Sequence, residues 1–376
     1  MSKGKTYIPE SRIFEDKKTN ILIRQITNHP SIHHHPFFIV PAYDDDMNRM
    51  IFVSHRTGKP QIFAEDRSTE KLIQLTERPD LNEWSVYPSH DGKFVYFTAG
   101  TGVWQLDLDS LKEREIANFD SSRLREEGMV AAAMGTIALS YDDLWLAVRF
   151  SIGDESALAI INAESGKHDV ILQRDNISHM QFCPNDNSLL YYAGPLTDRV
   201  WVINKDGSNN RRLYARNVEK NEWITHESWI PKTRELAFVD WNHGVRCINV
   251  DTGMERRITS FNAWHAICNS DGTLMVADTN FPDIGIQVFD PLDGIGKPVT
   301  LCYPEASSMG EHWKDAFPYA NGPIKVYAPQ HTHPHPSFSP DSRYVVFTSD
   351  KTGFAQIYEA TLTDEFVNQV KQGDNV

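Results

Sequence analysis

Short apolar runs alternate with turns rich in Asp, Asn, Ser and Gly from one end of the chain to the other. A polar turn opens an apolar strand, a second turn follows, and another strand returns. The opening turn and strand recur at 46–54, 90–98, 141–148, 185–192, 232–239, 271–277 and 341–348. With Asp46, Asp91, Asp142, Asp186, Lys232, Asp271 and Asp341 as markers, the seven copies are spaced by 45, 51, 44, 46, 39 and 70 residues. Second strands follow at 61–64, 103–108 and 199–204, and turns such as Asp206-Gly207 lead to a shorter third strand. The strands are β-branched and aromatic, and no long helical period intervenes. Three or four strands per unit at a period near 45 predicts an all-β fold, a seven-bladed β-propeller, with residues 1–376 as one domain.

The two ends bear on how such a ring closes. The last unit shows three clear strands, at 336–339, 344–348 and 355–362. The segment 21–27 is alternating enough to supply the missing outer strand and complete the last blade, which also covers an edge. Residues 1–16 and 368–376 read as candidates for disorder. The 70-residue spacing contains an insertion at about 304–328, rich in Pro, Gly, His and Tyr. Long loops of this kind are often functional.

Bulk properties narrow the function classes. The 376 residues are 40% apolar and 23% charged, with a formal charge of −14. This composition predicts neither a nucleic-acid nor a membrane partner, since both call for basic surface. Cys183, Cys247, Cys268 and Cys302 share no CxxC spacing and read as reduced, buried thiols. The N-terminus has no apolar leader pattern and no apolar run approaches a membrane span, so the expected compartment is the cytoplasm. No GxSxG, Walker A, GxGxxG or HExxH pattern occurs.

The histidines supply the candidate chemistry. His179, His226, His265 and His335 each lie five residues before the residue that opens a repeat turn: Pro184, Pro231, Ser270 and Pro340. Four blades thus place an imidazole at one point of the innermost strand, where propeller blades line the axis. His333 shares a strand face with His335, and His33, His34 and His35 fall near the matching point of the first unit. A lone histidine is more often a hydrogen-bonded core residue than a ligand; the shared register favours a divalent-metal site. Gln330 adds a carboxamide oxygen close to His333 and His335, which leans toward manganese or another harder ion over zinc, with calcium and nickel as further alternatives. His29, His55, His90, His168, His243 and His312 read as surface residues. Trp84, Trp223 and Trp264 are candidates to stack on sugar, and Arg211-Arg212 and Arg256-Arg257 read as solvated strand ends.

The chain resembles the oligogalacturonate lyase family, polysaccharide lyases built on a seven-bladed propeller. The resemblance is strongest over 330–340, which reads QHTHPHPSFSP, with 346–350 behind it. It is supported by 225–231, by His265 with 269–276, and by Gly194-Pro195 leading to Arg199. It implies β-elimination at a 4-linked uronic acid in short oligogalacturonides such as di- or trigalacturonate. It also implies a manganese-type ion on His265, Gln330, His333 and His335, His226 as the base, Arg199 as a substrate-binding arginine, and His179 and His34 as further site histidines. The chain departs from the family pattern at Leu196, where the family has a histidine after Gly-Pro, and in a longer segment before Gln330. A lyase of a different uronate-containing oligosaccharide is therefore the neighbouring alternative. From the residues alone, a non-catalytic TolB- or WD-like interaction module and a propeller hydrolase or lactonase also stay open. Imidazoles in register argue against the first, and histidines where carboxylate and Asn ligands would be expected argue against the second.

Overall fold

The computed structural model describes residues 2–119, 137–217, 219–220, 222–292, 297–311 and 333–372. The fold is all-β: seven antiparallel sheets of the seven-bladed β-propeller class, with one α-helix among the described residues, Asp364–Gln372. The chain divides into two compact units, Met1–Ile8 with Val40–Glu222, and Pro9–Ile39 with Trp223–Val376.

Unit one holds four sheets. Their strands are Arg49–Ser54, Gln61–Asp66 and Leu72–Gln74, with Thr6–Tyr7 outermost; Tyr87–Pro88, Phe94–Ala99, Gly102–Asp107 and Glu113–Asn118; Ile137–Leu139, Trp145–Ile152, Glu155–Asn162 and His168–Arg174; and Ser178–Cys183, Asp186–Ala193, Val200–Asn204 and Arg211–Tyr214. Unit two holds three: Trp223–Ile230, Glu235–Trp241, Gly244–Asn249 and Glu255–Thr259; Ala266–Cys268, Met275–Ala277, Ile286–Phe289 and Val299–Cys302; and a last sheet of Ser337–Phe338, Tyr344–Ser349, Gln356–Thr361, Leu22–Gln25 and Arg12–Glu15. The N-terminal strand does complete the last blade, with Ile23 opposite Ala360. A further strand, Arg12–Glu15, lies outside it. Both Thr6–Tyr7 and Arg12–Glu15 fall in the segment that composition marked for disorder, because an edge strand needs only main-chain partners and few apolar side chains.

The repeated turn has a local cause. Ser89 Oγ accepts from the Phe94 N–H at 2.9 Å and donates to Asp91 at 2.8 Å. Ser339 and Asp341 repeat this in the last sheet, and Asn269 takes the role with Thr273 and Leu274. The residue after the marker aspartate then takes a left-handed φ: Met47, Gly92, Asp143, Gly272 and Ser342. The side-chain acceptor replaces the main-chain partner that the turn removes.

Sheet faces pack through β-branched and aromatic side chains. In unit two, Ile23, Val276, Val288, Phe347 and Tyr358 form one core with Phe366 and Val370 of the helix. Those two helical residues are four apart on one face, and burying each contributes about 1.5–3 kcal/mol. Thr363 caps the helix by accepting from the Phe366 N–H at 3.1 Å, and Lys371 near its C-terminus pairs with Asp290 at 2.8 Å. The helix covers part of the tail that the strand period could not assign. The four cysteines are buried thiols outside any disulfide, as expected.

Candidate functional site

Unit two brings three of the register histidines, His226, His265 and His335, together with His333 into one buried cluster. His265 is at its centre. Its ring centroid is 4.1 Å from that of His226, 4.2 Å from that of His335 and 5.5 Å from that of His333. His333 and His335 are 5.9 Å apart and nearly perpendicular. Trp264 lies 4.5 Å from His226 and 5.9 Å from His333, and Phe38 lies 4.9 Å from His265. All six residues are at most 8% exposed.

The backbone explains how a strand of small turn-to-turn span can aim these rings. In Trp223–Ile230 the register slips between Thr225 and Ser228, which puts a bulge at His226 and Glu227. His226 there has φ 50°, and His335, just before its strand begins, has φ 48°. A bulge re-aims a side chain that regular alternation would send into the sheet face. Left-handed non-glycine residues cost on the order of 1–3 kcal/mol and persist where surroundings over-determine them. At His335 the main chain is held on both sides: its N–H donates to Asp278 Oδ2 at 3.2 Å, and its carbonyl accepts from His35 Nε2 at 2.7 Å.

Hydrogen bonds fix which ring nitrogen carries the proton. His226 Nδ1 lies 2.6 Å from the Trp264 carbonyl, which only accepts, so Nδ1 is the donor and Nε2 carries the lone pair of the neutral ring. His265 Nδ1 lies 2.9 and 3.1 Å from the two oxygens of Asp278, which makes Nε2 its lone-pair nitrogen as well. Burial, and after it the neighbouring imidazoles of His265, His333, His35 and His226, hold His335 well below the usual histidine range. Its ring is therefore neutral and able to donate a lone pair near neutral pH. Burial pushes His35 down to about 3, partly countered by its bond to the His335 carbonyl. With Nε2 as donor, its Nδ1 accepts from Thr348 Oγ1 at 2.8 Å.

The other expected site residues lie as follows. His34 is fully buried in unit two, with Nδ1 donating to the His35 carbonyl at 3.0 Å. His179 and Arg199 belong to unit one. His179 sits in a bulge of Ser178–Cys183 with φ 50°, the same local device as His226. Arg199 is half-buried, and its carbonyl accepts from the Gly194 N–H at 2.7 Å. Gln330 and most of the 304–328 insertion lie outside the described residues.

Several expectations are corrected. His55 and His90 are not plain surface residues: each is half-buried against a carboxylate, Glu83 at 2.6 Å and Asp143 at 2.7 Å. Trp84, Trp223 and Trp264 are buried and do not present a face for stacking on sugar; Trp264 packs against Trp223 and Trp241 at 5.2 and 4.9 Å. Arg256 is not a solvated strand end, since its guanidinium pairs with both oxygens of Glu235. Sequence reasoning missed Asp278 and the part played by His35. The available signal for Asp278 was an acidic residue directly after the apolar Met275–Ala277, with no cation near it in sequence.

The site thus gathers four buried imidazoles, two of which have the ring proton placed at Nδ1 by a carbonyl and by a carboxylate. A family model described as oligogalacturonate lyase matches residues 1–366. An oligogalacturonate lyase of Dickeya dadantii (strain 3937) is 27% identical, with 97% of this chain and 99% of that protein covered. An oligogalacturonide lyase of Pectobacterium atrosepticum is 25% identical, with 98% and 100% covered. Among solved structures, an oligogalacturonate lyase in complex with manganese superposes with a TM-score of 0.82 at 24% identity, covering 98% of this chain and all of that one. An oligogalacturonate lyase from Vibrio parahaemolyticus does so at 0.80 and 23%, covering 97% of this chain and all of that one.

Proposed function

The chain belongs to the oligogalacturonate lyase family, and we propose that it cleaves short 4-linked oligogalacturonides by metal-dependent β-elimination with His226 as the base. The observation that carries this is the division of labour among the clustered imidazoles. His226 and His265 are 4.1 Å apart, yet one is anchored to a carbonyl and the other to a carboxylate. A carboxylate behind an imidazole is the usual support of a metal ligand, and a carbonyl on Nδ1 leaves Nε2 of the other ring as the proton-accepting nitrogen.

The donor set fits a divalent cation. His265, His333 and His335 would hold it, with Gln330 as an oxygen donor, and manganese is the ion such a mixed set favours. When bound, the cation supplies positive charge that neutralises the uronate carboxylate and stabilises the negative charge developing at C5. His226 Nε2 takes the C5 proton. The C4–O4 bond then breaks, a C4–C5 double bond forms, and the leaving oxygen takes up a proton; no water is consumed. Arg199 holds a uronate carboxylate through paired N–H donors, and His179 and His34 contact the sugar. Trp264 and Phe38 wall the imidazoles with apolar surface, which strengthens every charge interaction at the centre.

Metal analysis of the untreated protein, followed by turnover of digalacturonate with and without a chelator, tests this. Bound manganese or a related divalent ion is expected, with ultraviolet absorbance of the unsaturated product lost on chelation and restored by Mn²⁺. Full turnover in metal-stripped protein overturns the reading.

A further inference from the structure

Asp278 enters the reading above only as the carboxylate behind His265, yet it touches two of the proposed ligands. It follows the strand Met275–Ala277 directly and is fully buried. Its Oδ1 accepts from the His265 main-chain N–H at 2.7 Å, and its two oxygens face His265 Nδ1 at 3.1 and 2.9 Å. Its Oδ2 also accepts from the His335 main-chain N–H at 3.2 Å. The main chains are tied as well, with Trp264 N–H donating to the Asp278 carbonyl at 3.0 Å and Asp278 N–H to the His265 carbonyl at 3.3 Å. Among the described residues its one ion-pair partner is His265, not a lysine or arginine.

A carboxylate taken fully out of water is expensive unless its oxygens are well satisfied. Holding two main-chain N–H groups would need no charge; a serine or asparagine does that in many turns. The third donor, the imidazole Nδ1–H, is what distinguishes this position. We propose that Asp278 is a positioning residue of the metal centre, which accepts a hydrogen bond from the His265 Nδ1–H and binds the His335 main chain to the same carboxylate. The ring of His265 is thereby fixed with Nε2 as its lone-pair nitrogen, and the 4.2 Å spacing of the two imidazoles is set by one side chain. His35 completes the arrangement from the other side by holding the His335 carbonyl at 2.7 Å. Negative charge behind His265 also raises the donor strength of its ring. This inference rests on the metal-centre reading above.

Asp278→Asn tests it, because one acceptor oxygen becomes an NH₂ that must face a main-chain N–H donor of His265 or His335. In calorimetric titration of Mn²⁺ into the metal-stripped full chain, the Kd is expected to rise roughly 10- to 100-fold. Nitrogen-15 spectra of the histidine side chains, assigned by comparison with His265→Ala, are expected to show His265 as the Nδ1–H tautomer in metal-free wild type and a mixture in the variant. Unchanged Mn²⁺ affinity in a folded Asp278→Asn protein overturns the proposal. So does an Nε2–H tautomer for His265 in the wild type, a measurement that stands even where the variant fails to fold. His265→Ala and His333→Ala separate the two levels: loss of Mn²⁺ binding there with wild-type affinity in Asp278→Asn removes only the role of Asp278. Wild-type affinity in all three removes the metal centre and the proposal with it.

Discussion

Replacing His226 by asparagine separates what the fold needs at this position from what the chemistry needs. The residue sits in a bulge at φ 50°, a conformation asparagine tolerates better than most residues. The asparagine amide can also donate toward the Trp264 carbonyl that His226 Nδ1 meets at 2.6 Å. What the substitution forfeits structurally is ring contact, with Trp264 at 4.5 Å and Phe38 at 5.9 Å. Contacts of this type contribute about 0.5–1.5 kcal/mol, so the net loss of stability is expected at about 1–2 kcal/mol. The catalytic loss is larger. Removing a general base costs about two to four orders of magnitude, which is about 3–5 kcal/mol in the barrier. Urea unfolding, Mn²⁺ titration and kcat on digalacturonate read the three consequences separately: slightly lower stability, unchanged metal affinity, and turnover close to abolished. A His226→Asn protein with wild-type kcat refutes the base assignment. A stability loss above about 4 kcal/mol, accompanied by loss of metal binding, refutes the claim that this histidine serves chemistry more than packing.

Two further outcomes follow from the geometry. His35 titrates at about 3 in the folded protein against 6.5 for the free side chain, so the unfolded chain binds the extra proton between those values. Its stabilisation is therefore complete above about pH 6.5 and fades as pH falls toward 3. In metal-free protein it should cost about 2 kcal/mol between pH 6.5 and 5, and urea midpoints of His35→Gln should lack that share of the pH slope; parallel slopes would disprove it. Gly244 has φ 119°, and a Cβ there would lie 2.1 Å from the Thr259 carbonyl oxygen, whereas at Gly253, φ 70°, a Cβ meets nothing within 4 Å. Gly244→Ala should thus lose more than about 3 kcal/mol and Gly253→Ala about 1 kcal/mol in the same unfolding assay; equal losses would show that the close approach is relieved by backbone movement.

Most of the architecture was legible because its determinants are local. Ser89, Ser339 and Asn269 each bond back into their own turn within five residues, so the repeat is written in adjacent letters. The histidine register was legible for the same reason, since it is counted from those turns. The edge strand Arg12–Glu15 and the helix Asp364–Gln372 were not, because each is held by a surface that only the folded sheet provides. The aromatic residues show the limit from the other side. Trp223 and Trp264 lie at the start of inner strands, where alternation alone allows a sugar-facing ring, but the two pack on each other and, for Trp264, on Trp241, and are buried.

The backbone at the histidines is the reason to read them as functional. His179, His226 and His335 all take left-handed φ near 50°, while His265 reaches the cluster from an ordinary backbone braced by Asp278. Three such residues together forfeit on the order of 3 kcal/mol or more, a large part of a domain's net stability. Packing alone would not favour this, since glycine or asparagine fits the same backbone with less strain. A regular strand would send these rings into the sheet, where an imidazole could be satisfied by a single hydrogen bond. In unit two the backbone instead brings imidazoles together, with one ring N–H placed by a carbonyl and another by a carboxylate. Backbone strain that gathers imidazoles in one buried cluster is what the proposed cation and its acidic C–H substrate would account for, and a packing role would not.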